Sequence, residues 1–152
     1  VLMKKQTDPR MHTAEHILNQ TMVRLFDCGR CFSAHIERKK SKCDYRFSHD
    51  PTPDEVREIQ SLVNKVIESD QPVTETFISK ETAEQLYNTA RLPEGVDDNS
   101  IRIIRIGDYD ACPCIGKHVH STREVGAFRI TTTSFEHGVL RIRFKLSATA
   151  SY

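Results

Sequence analysis

Two pairs of metal-binding side chains are each spaced by four residues in this sequence. His12 and His16 form the first pair, and Cys114 and His118 form the second. Histidines four apart on a helix project from one face and can hold a single ion. A proline and a glycine beside the second pair favour a loop, which can fold around a metal. Nitrogen and thiolate ligands together predict zinc rather than magnesium or calcium, which prefer oxygen.

The chain has five cysteines. An odd number in a reducing compartment favours free thiols or metal ligands over a disulfide framework. Cys112 lies two residues before Cys114 and is an alternative ligand to it. Cys28 and Cys31 form a C-x-x-C pair that either joins Cys112 in a second metal site or is simply two thiols.

Composition predicts one soluble domain over residues 1–152. The chain is 38% hydrophobic and 28% charged, which is typical of a globular protein with a single core. No apolar run approaches the roughly 20 residues of a membrane span, and no secretion signal precedes the first helix. We therefore expect a cytoplasmic protein without a membrane partner.

Charge is unevenly distributed along the chain, although the net charge is only +1. Residues 1–49 hold 10 basic and 5 acidic side chains, residues 50–100 hold 4 and 12, and residues 101–152 hold 8 and 4. If the two ends meet in the fold, they form a positive face for a polyanion with an acidic face opposite. The alternative is solvated charge on separate faces.

The elements that would position these residues begin with a helix from Thr7-Asp8-Pro9 to about Phe26. Alternating segments at Cys31–Arg38 and Lys42–Ser48 predict a hairpin with a polar turn at 39–41. Thr52 begins a second helix with an N-cap, a proline and a capping-box glutamate. That helix has an apolar stripe made of Val56, Ile59, Leu62, Val63, Val66 and Ile67.

The second half of the chain predicts mainly strands. They are Val73–Ile78, Ile101–Ile106 and a hairpin of Phe128–Phe135 with Val139–Leu146 around a turn at 136–138. Ser79 would cap a short helix to about Ala90, and loops are expected at 92–100 and 110–119. This mixture predicts an α+β fold with a largely antiparallel sheet and packed helices.

Four ordered motifs identify a family resemblance. They are His12-Thr-Ala-Glu-His16, Arg46-Phe-Ser-His49, Cys114-Ile-Gly-Lys-His118 and Thr122-Arg-Glu-Val-Gly126. Their order and spacing, from about Met11 to Leu146, resemble the editing domain of alanyl-tRNA synthetase and its stand-alone relatives, the short AlaX trans-editing proteins. The related editing domain of threonyl-tRNA synthetase begins with a doubled histidine, whereas this chain has Met11-His12.

The resemblance implies a zinc ion held by His12, His16, Cys114 and His118 in a cleft for the aminoacylated 3′ end of a tRNA. The implied reaction is hydrolysis of the aminoacyl ester. The family's usual substrate is serine, or sometimes glycine, wrongly attached to the alanine tRNA. Ser33 stands where short AlaX proteins have a threonine, and we expect it to recognise the serine hydroxyl. A monomer or homodimer is expected.

Other residues are candidates for the same site. His49 and His120 would position water or the terminal ribose, and Glu124 would hold a metal-ligating histidine. Each also has an ordinary alternative as a polar, capping or ion-paired side chain. The basic turn of the first hairpin, with Lys39, Lys40 and Lys42, and Lys117 in the metal loop are candidates for tRNA contacts or, equally, solvated charge.

Several alternatives stay open. Four protein ligands saturate tetrahedral zinc, so the ion either activates water through a labile or expanded coordination or only shapes the cleft. A zinc-stapled tRNA-binding module without catalysis is the second function. The first helix also matches the H-x-x-E-H signature of inverted zinc peptidases, with Glu15 as the base.

Overall fold

The computed structural model describes residues 8–87 and 100–147. Within these ranges the chain forms three α-helices, seven strands and a short 3₁₀ turn at Thr122–Val125. The helices are α1 (Pro9–Phe26), α2 (Pro53–Glu68) and α3 (Lys80–Leu86). The strands are β1 (Ser33–Ile36), β2 (Ser41–Arg46), β3 (Val73–Ile78), β4 (Ile101–Ile106), β5 (Asp110–Pro113), β6 (Phe128–Glu136) and β7 (Val139–Leu146).

The strands form two antiparallel sheets. The main sheet has the order β1-β2-β7-β6, and the small sheet has the order β3-β4-β5. The predicted α+β class is thus confirmed, with two sheets where one was expected. None of the helices in the described ranges combines the length and the apolar character that a membrane span requires.

The main sheet has one apolar face, on which α1 and α2 pack. Directly opposed residues of an antiparallel pair lie on the same face, and this face carries Cys43, Tyr45, Leu140, Ile142 and Phe144, all fully buried. They share a core with α1 and α2 side chains such as Ile17, Leu18, Ile59 and Val63. Because the helices cover only this side, the opposite face of the sheet lies outside the core.

Both long helices begin where the sequence predicts. The Asp8 side chain accepts hydrogen bonds from the first turn of α1, with Pro9 next in the chain. Thr52 and Glu55 form the complete capping box of α2. These caps satisfy backbone N–H groups that have no partner inside the helix. They fix the register of α1 and therefore the direction in which His12 and His16 point.

The first hairpin and α3 are shorter than predicted. β1 ends at Ile36 and β2 begins at Ser41, so the turn spans residues 37–40 and the prediction of a turn at 39–41 is wrong at both ends. Ser79 caps α3 as expected, but the helix ends at Leu86 with Tyr87 in an extended conformation. Ala90 and the predicted loop up to residue 99 lie outside the described residues.

In the last hairpin, His137 and Gly138 form the two-residue turn with positive φ of 53° and 76°, as a tight hairpin requires.

The segment Asp110–Pro113 is a strand, whereas the sequence predicted a loop. β5 pairs with β4 along Ile106↔Asp110 to Ile103↔Pro113. It is an edge strand, where a proline needs no ladder partner on its outer side. The small sheet has its own minor core of Ala83, Ile101 and Ile103. It joins the main body at Ile106, which belongs to the larger core.

Candidate metal centre

The structure brings together the four residues that their spacing singled out. His12 and His16 lie one turn apart on α1, and the segment that follows β5 supplies Cys114 and His118. One nitrogen or sulfur atom from each residue lies within 4.8 Å of the other three. The Cys114 Sγ atom is 3.3 Å from His12 Nε2 and 3.4 Å from His118 Nε2.

These distances fit a tetrahedral zinc site. Zinc–nitrogen bonds of about 2.0–2.1 Å and a zinc–sulfur bond of about 2.3 Å separate tetrahedral ligand atoms by about 3.3–3.8 Å. The two sulfur–nitrogen distances fall in that range. Three imidazoles and one thiolate are also ligands that zinc prefers. The residues present therefore fit a zinc ion.

Thr13 fixes the proton on His118. The Thr13 hydroxyl donates to the Pro9 carbonyl at 2.9 Å, and its oxygen accepts from Val119 N–H at 3.3 Å. A hydroxyl has one proton to donate, so its 3.0 Å contact with His118 Nδ1 must be accepted from Nδ1–H. This tautomer leaves the lone pair on Nε2, which faces Cys114.

A charged pair lies behind His16. The His16 Nδ1 atom is 3.2 Å from Cys112 Sγ and 3.7 Å from the Asp110 carboxylate. Arg30 donates to both Asp110 oxygens, at 2.6 and 3.3 Å, and to Cys112 Sγ at 3.3 Å. Gln20 also donates to Asp110 at 2.8 Å. These groups surround Nδ1, which leaves Nε2 of His16 for the metal.

Cys112 thus contacts the outer nitrogen of His16 and lies outside the group of four. Burial raises the pKa of Asp110, but His16 and Arg30 outweigh it and hold that pKa well below its ordinary value. The negative Asp110 is therefore paired with Arg30 and is not free to bind a second cation. This arrangement supports Cys114 over Cys112 as the thiolate ligand.

The third ring, His12, is held by close backbone packing. A Cβ atom on Gly116 would lie 2.1 Å from His12 Cε1 and 2.4 Å from Nδ1, so only glycine leaves room for the ring. The His12 Nδ1 atom is buried and has no hydrogen-bond partner among the described residues. Arg102 holds this part of the loop by donating to the carbonyls of Cys114 and Gly116, at 3.0 and 2.7 Å.

The electrostatics of the group favour a metal-binding thiolate. Burial raises the pKa of Cys114, but the surrounding imidazoles of His118, His12 and His16 outweigh it and lower that pKa to about 3. Burial also lowers the pKa of His118 to about 4, although Cys114 opposes this change. Cys114 is therefore a thiolate and His118 a neutral imidazole near neutral pH, which are the forms that bind zinc.

The C-x-x-C pair does not form a second site with Cys112. Cys28 Sγ contacts the Met22 carbonyl at 3.6 Å. Cys31 instead lies in a buried group with Glu15 and Cys43, and its thiol donates to Glu15 Oε2 at 3.5 Å. The other Glu15 oxygen lies 3.7 Å from His12 Nε2, beside the four candidate ligands.

Candidate catalytic residues outside the group of four lie in different surroundings. Ser33 is exposed on β1, opposite Asp44 of β2. His49 contacts Glu55 at 2.9 Å near the start of α2. Glu124 accepts hydrogen bonds from Ser121, and none of its hydrogen bonds to described residues involves a candidate ligand. Their roles in the site stay predictions, as does that of the exposed His120.

The lysines predicted to contact tRNA lie on two surfaces. Lys39 and Lys40 are exposed in the turn between β1 and β2, and Lys42 Nζ is 3.7 Å from an Asp44 oxygen. Lys117 is exposed in the metal loop, next to His118. These positions leave the lysines accessible, and contact with a tRNA stays a prediction.

Sequence reasoning missed Thr13, Arg30, Asp110 and Arg102, which orient the candidate ligands. Of these four residues, Thr13 is the one that lies inside a quoted motif, His12-Thr-Ala-Glu-His16, and this position could have marked it as part of the site. Arg30 and Asp110 are separated by 80 residues, and no local pattern connects a pair so distant.

Comparison with known proteins gives a consistent family match. Residues 101–143 match the family described as threonyl and alanyl tRNA synthetase second additional domain. The chain is also similar to alanine–tRNA ligases from Caldivirga maquilingensis (32% identity over 143 residues), Hyperthermus butylicus (34% over 136) and Methanoregula boonei (32% over 153). These matches cover 89%, 87% and 94% of the chain, but only 16%, 15% and 16% of the ligases.

Proposed function

This chain belongs to the proteins related to alanyl-tRNA synthetase through the second additional domain, and from that premise we propose that it is a zinc-dependent aminoacyl-tRNA deacylase. Its substrate is a tRNA carrying the wrong amino acid, in the first place serine, or else glycine, on the alanine tRNA. The described residues 8–87 and 100–147 belong to one editing domain that acts in the cytoplasm. The observation that carries the proposal is the convergence of His12, His16, Cys114 and His118 on one point.

The site supports this reaction through its own residues. His12, His16, Cys114 and His118 would hold the ion, while Thr13 and the Arg30–Asp110 pair orient the rings of His118 and His16. A bound zinc ion would supply Lewis-acid stabilisation of charge on the ester carbonyl oxygen. An aminoacyl ester is already activated, so orientation of the ester and of water supplies much of the remaining catalysis. His49 and Glu124 are further proposed contributors, and Lys117 would contact the terminal phosphate.

A non-catalytic tRNA-binding module is the second candidate. The observation that favours it is the presence of four converging protein ligands, because saturated zinc sites are usually structural. A peptidase has less support, since Cys114 and His118 complete the group around the H-x-x-E-H helix and have no role in that mechanism.

A deacylation assay separates these functions. Purified protein is incubated with seryl-, glycyl- and correctly charged alanyl-tRNA of the alanine type, with and without a zinc chelator. We expect release of serine or glycine, little release of alanine, and loss of activity after chelation. Zinc-loaded protein that binds the tRNA but releases no amino acid would be the binding module instead.

Replacing Ser33 with alanine should slow hydrolysis of seryl-tRNA. Loss of a hydrogen bond to the substrate hydroxyl leaves that group unpaired, which costs about 1–3 kcal/mol, or about 5- to 150-fold in rate. Ser33→Thr keeps the hydroxyl and serves as the matched control. Glycyl-tRNA, which lacks the hydroxyl, should be hydrolysed equally by both variants. Unchanged hydrolysis of seryl-tRNA by Ser33→Ala would remove Ser33 from substrate recognition.

A further inference from the structure

The outer face of the main sheet, opposite the helices, is strongly basic. Strand register places on it the residues opposed in the pairs Lys42↔Arg143, Asp44↔Arg141 and Arg129↔Lys145. The same face includes Arg46 and Glu136, each opposite Val139. We define the basic face by its six cations, which are Lys42, Arg46, Arg129, Arg141, Arg143 and Lys145. Among the described residues, the strands of this face supply two carboxylates, Asp44 and Glu136, and Glu37 in the adjacent turn contacts His35, which is opposite Lys42.

Most of these cations are available to a partner. Arg141 is engaged by Asp44, at 2.8 and 3.0 Å, and Lys42 lies 3.7 Å from the same carboxylate. The other four cations make no ion pair with a described residue. They are Arg46, Arg129, Arg143 and Lys145. A polyanion bound here would therefore gain attraction without first breaking ion pairs within the described fold.

The charge of the basic face is not neutralised by the layer behind it. The helices lie on the other side of the sheet, and α2 exposes the carboxylates of Asp54, Glu58 and Glu68 to solvent. On that helix the exposed cations Arg57 and Lys65 accompany these carboxylates, whereas cations outnumber carboxylates on the sheet surface. The net positive charge of the sheet side orients an approaching polyanion toward the sheet.

Strand β1 lies between the basic face and the helix that carries His12 and His16, since it pairs with β2 and contacts α1. β1 is the edge strand of the main sheet and follows Cys31, whose thiol contacts Glu15 of α1, one residue before His16. Phe32 lies at the same edge with 40% of its surface exposed, and the Arg46 guanidinium stacks 4.1 Å from its ring centre. An aromatic ring beside an arginine is a common surface for stacking of an unpaired base.

We propose that the basic face binds the phosphate backbone of the tRNA acceptor stem, and that Phe32 stacks with an unpaired base near the 3′ end. This inference rests on the proposed function, because it takes tRNA as the substrate. Arginine and lysine on the sheet contact phosphates, which positions the nucleic acid without reading its sequence. The stem then crosses the edge strand β1, and its end reaches the metal centre.

The test measures binding of uncharged alanine tRNA at several salt concentrations. The test variant combines Arg129→Gln, Arg143→Gln and Lys145→Gln. The matched control combines Arg57→Gln, Lys65→Gln and Lys80→Gln, which remove the same charge from exposed helical positions. We expect the test variant to bind at least about tenfold more weakly at low salt and to lose up to about one unit of salt slope per phosphate contact. The control should bind within about twofold of the unmodified protein.

Two results would overturn the inference. One is an equal effect of the test and control variants, which would indicate only a change in net charge. The other is an effect confined to a third variant, in which Lys39 and Lys40 of the turn between β1 and β2 are changed to glutamine. That result would place the RNA at the turn and not on the sheet.

A second measurement separates this inference from the proposed function. Hydrolysis of mischarged tRNA is followed at saturating protein for the unmodified chain and for the test variant. If the unmodified chain releases no amino acid but the basic face is needed for binding, the deacylase proposal fails and the inference stands. If the unmodified chain is active and the test variant binds tRNA with the same affinity as the unmodified chain, only the inference fails. A Phe32→Ala variant should weaken binding of a tRNA with an intact single-stranded 3′ end more than that of one lacking it.

Discussion

A Cys114→Ser protein should lose zinc, whereas a Cys112→Ser protein should retain it. Cys114 Sγ lies 3.3–3.4 Å from two imidazole nitrogens of the group of four, whereas Cys112 Sγ contacts this group at the outer nitrogen of His16. Changes behind a metal ligand typically cost about 10- to 100-fold in affinity. We expect Cys112→Ser to fall within that range and Cys114→Ser to lose more than about 100-fold.

Chelator competition measures both affinities, and cobalt substitution identifies the sulfur ligand. A thiolate bound to cobalt gives a charge-transfer absorption band, which should persist in Cys112→Ser and disappear in Cys114→Ser. The opposite pattern would show that Cys112 is the ligand. Because both variants replace one sulfur with oxygen, a general effect of the substitution would appear equally in the two.

A second large effect, on zinc affinity, is expected when a single methyl group is added at Gly116. Gly116→Ala would place a Cβ atom 2.1 Å from His12 Cε1, so the ring or the loop must move. The loop is held by Arg102 through the Gly116 carbonyl, and α1 is fixed by its cap and by the core. We expect zinc affinity to fall by about 10- to 100-fold, as it does when ligand orientation is disturbed, and the deacylation rate to fall with it.

Gly29→Ala is the matched control, because a Cβ atom there meets nothing within 4 Å. The thermal midpoint of the metal-free protein should be similar for both variants, since the clash lies at the ligands and outside the main hydrophobic core. If Gly116→Ala binds zinc as tightly as the unmodified protein, His12 does not occupy the position described for it. That outcome would leave three ligands and a different coordination.

Local signals in the sequence predicted the helices and most strands correctly. The N-caps at Asp8 and Thr52 act within one turn, and the strands of the main sheet carry the alternation that burial of one face produces. β5 was missed because it is four residues long, ends in proline and pairs only on one side. Such a strand owes its existence to the neighbouring β4 and not to its own propensity.

The candidate ligands were predictable, while their supports were not. Spacing within α1 and within the metal loop marks two pairs, and the chemistry of the side chains implies one ion. The Arg30–Asp110 pair depends on how a loop before β1 meets β5, which no local pattern encodes. The sequence also leaves the roles of polar residues near helix starts undecided. His49 and Glu124 can each form hydrogen bonds with a helix start or with a substrate. Their hydrogen bonds with described residues lie at the starts of α2 and the 3₁₀ turn.

The two ligand pairs come from opposite ends of the sequence, since His12 and Cys114 are 102 residues apart. A metal ion bound there would act as a cross-link between α1 and the segment leaving the small sheet. That sheet has only a minor core of its own, so it is the part of the described fold whose local opening the ion most restrains. An ion at 100 times its dissociation constant stabilises the folded state by about 2.7 kcal/mol. Amide hydrogens of β4 and β5 should consequently exchange with solvent more slowly when zinc is present, and metal supply would set how often the small sheet opens.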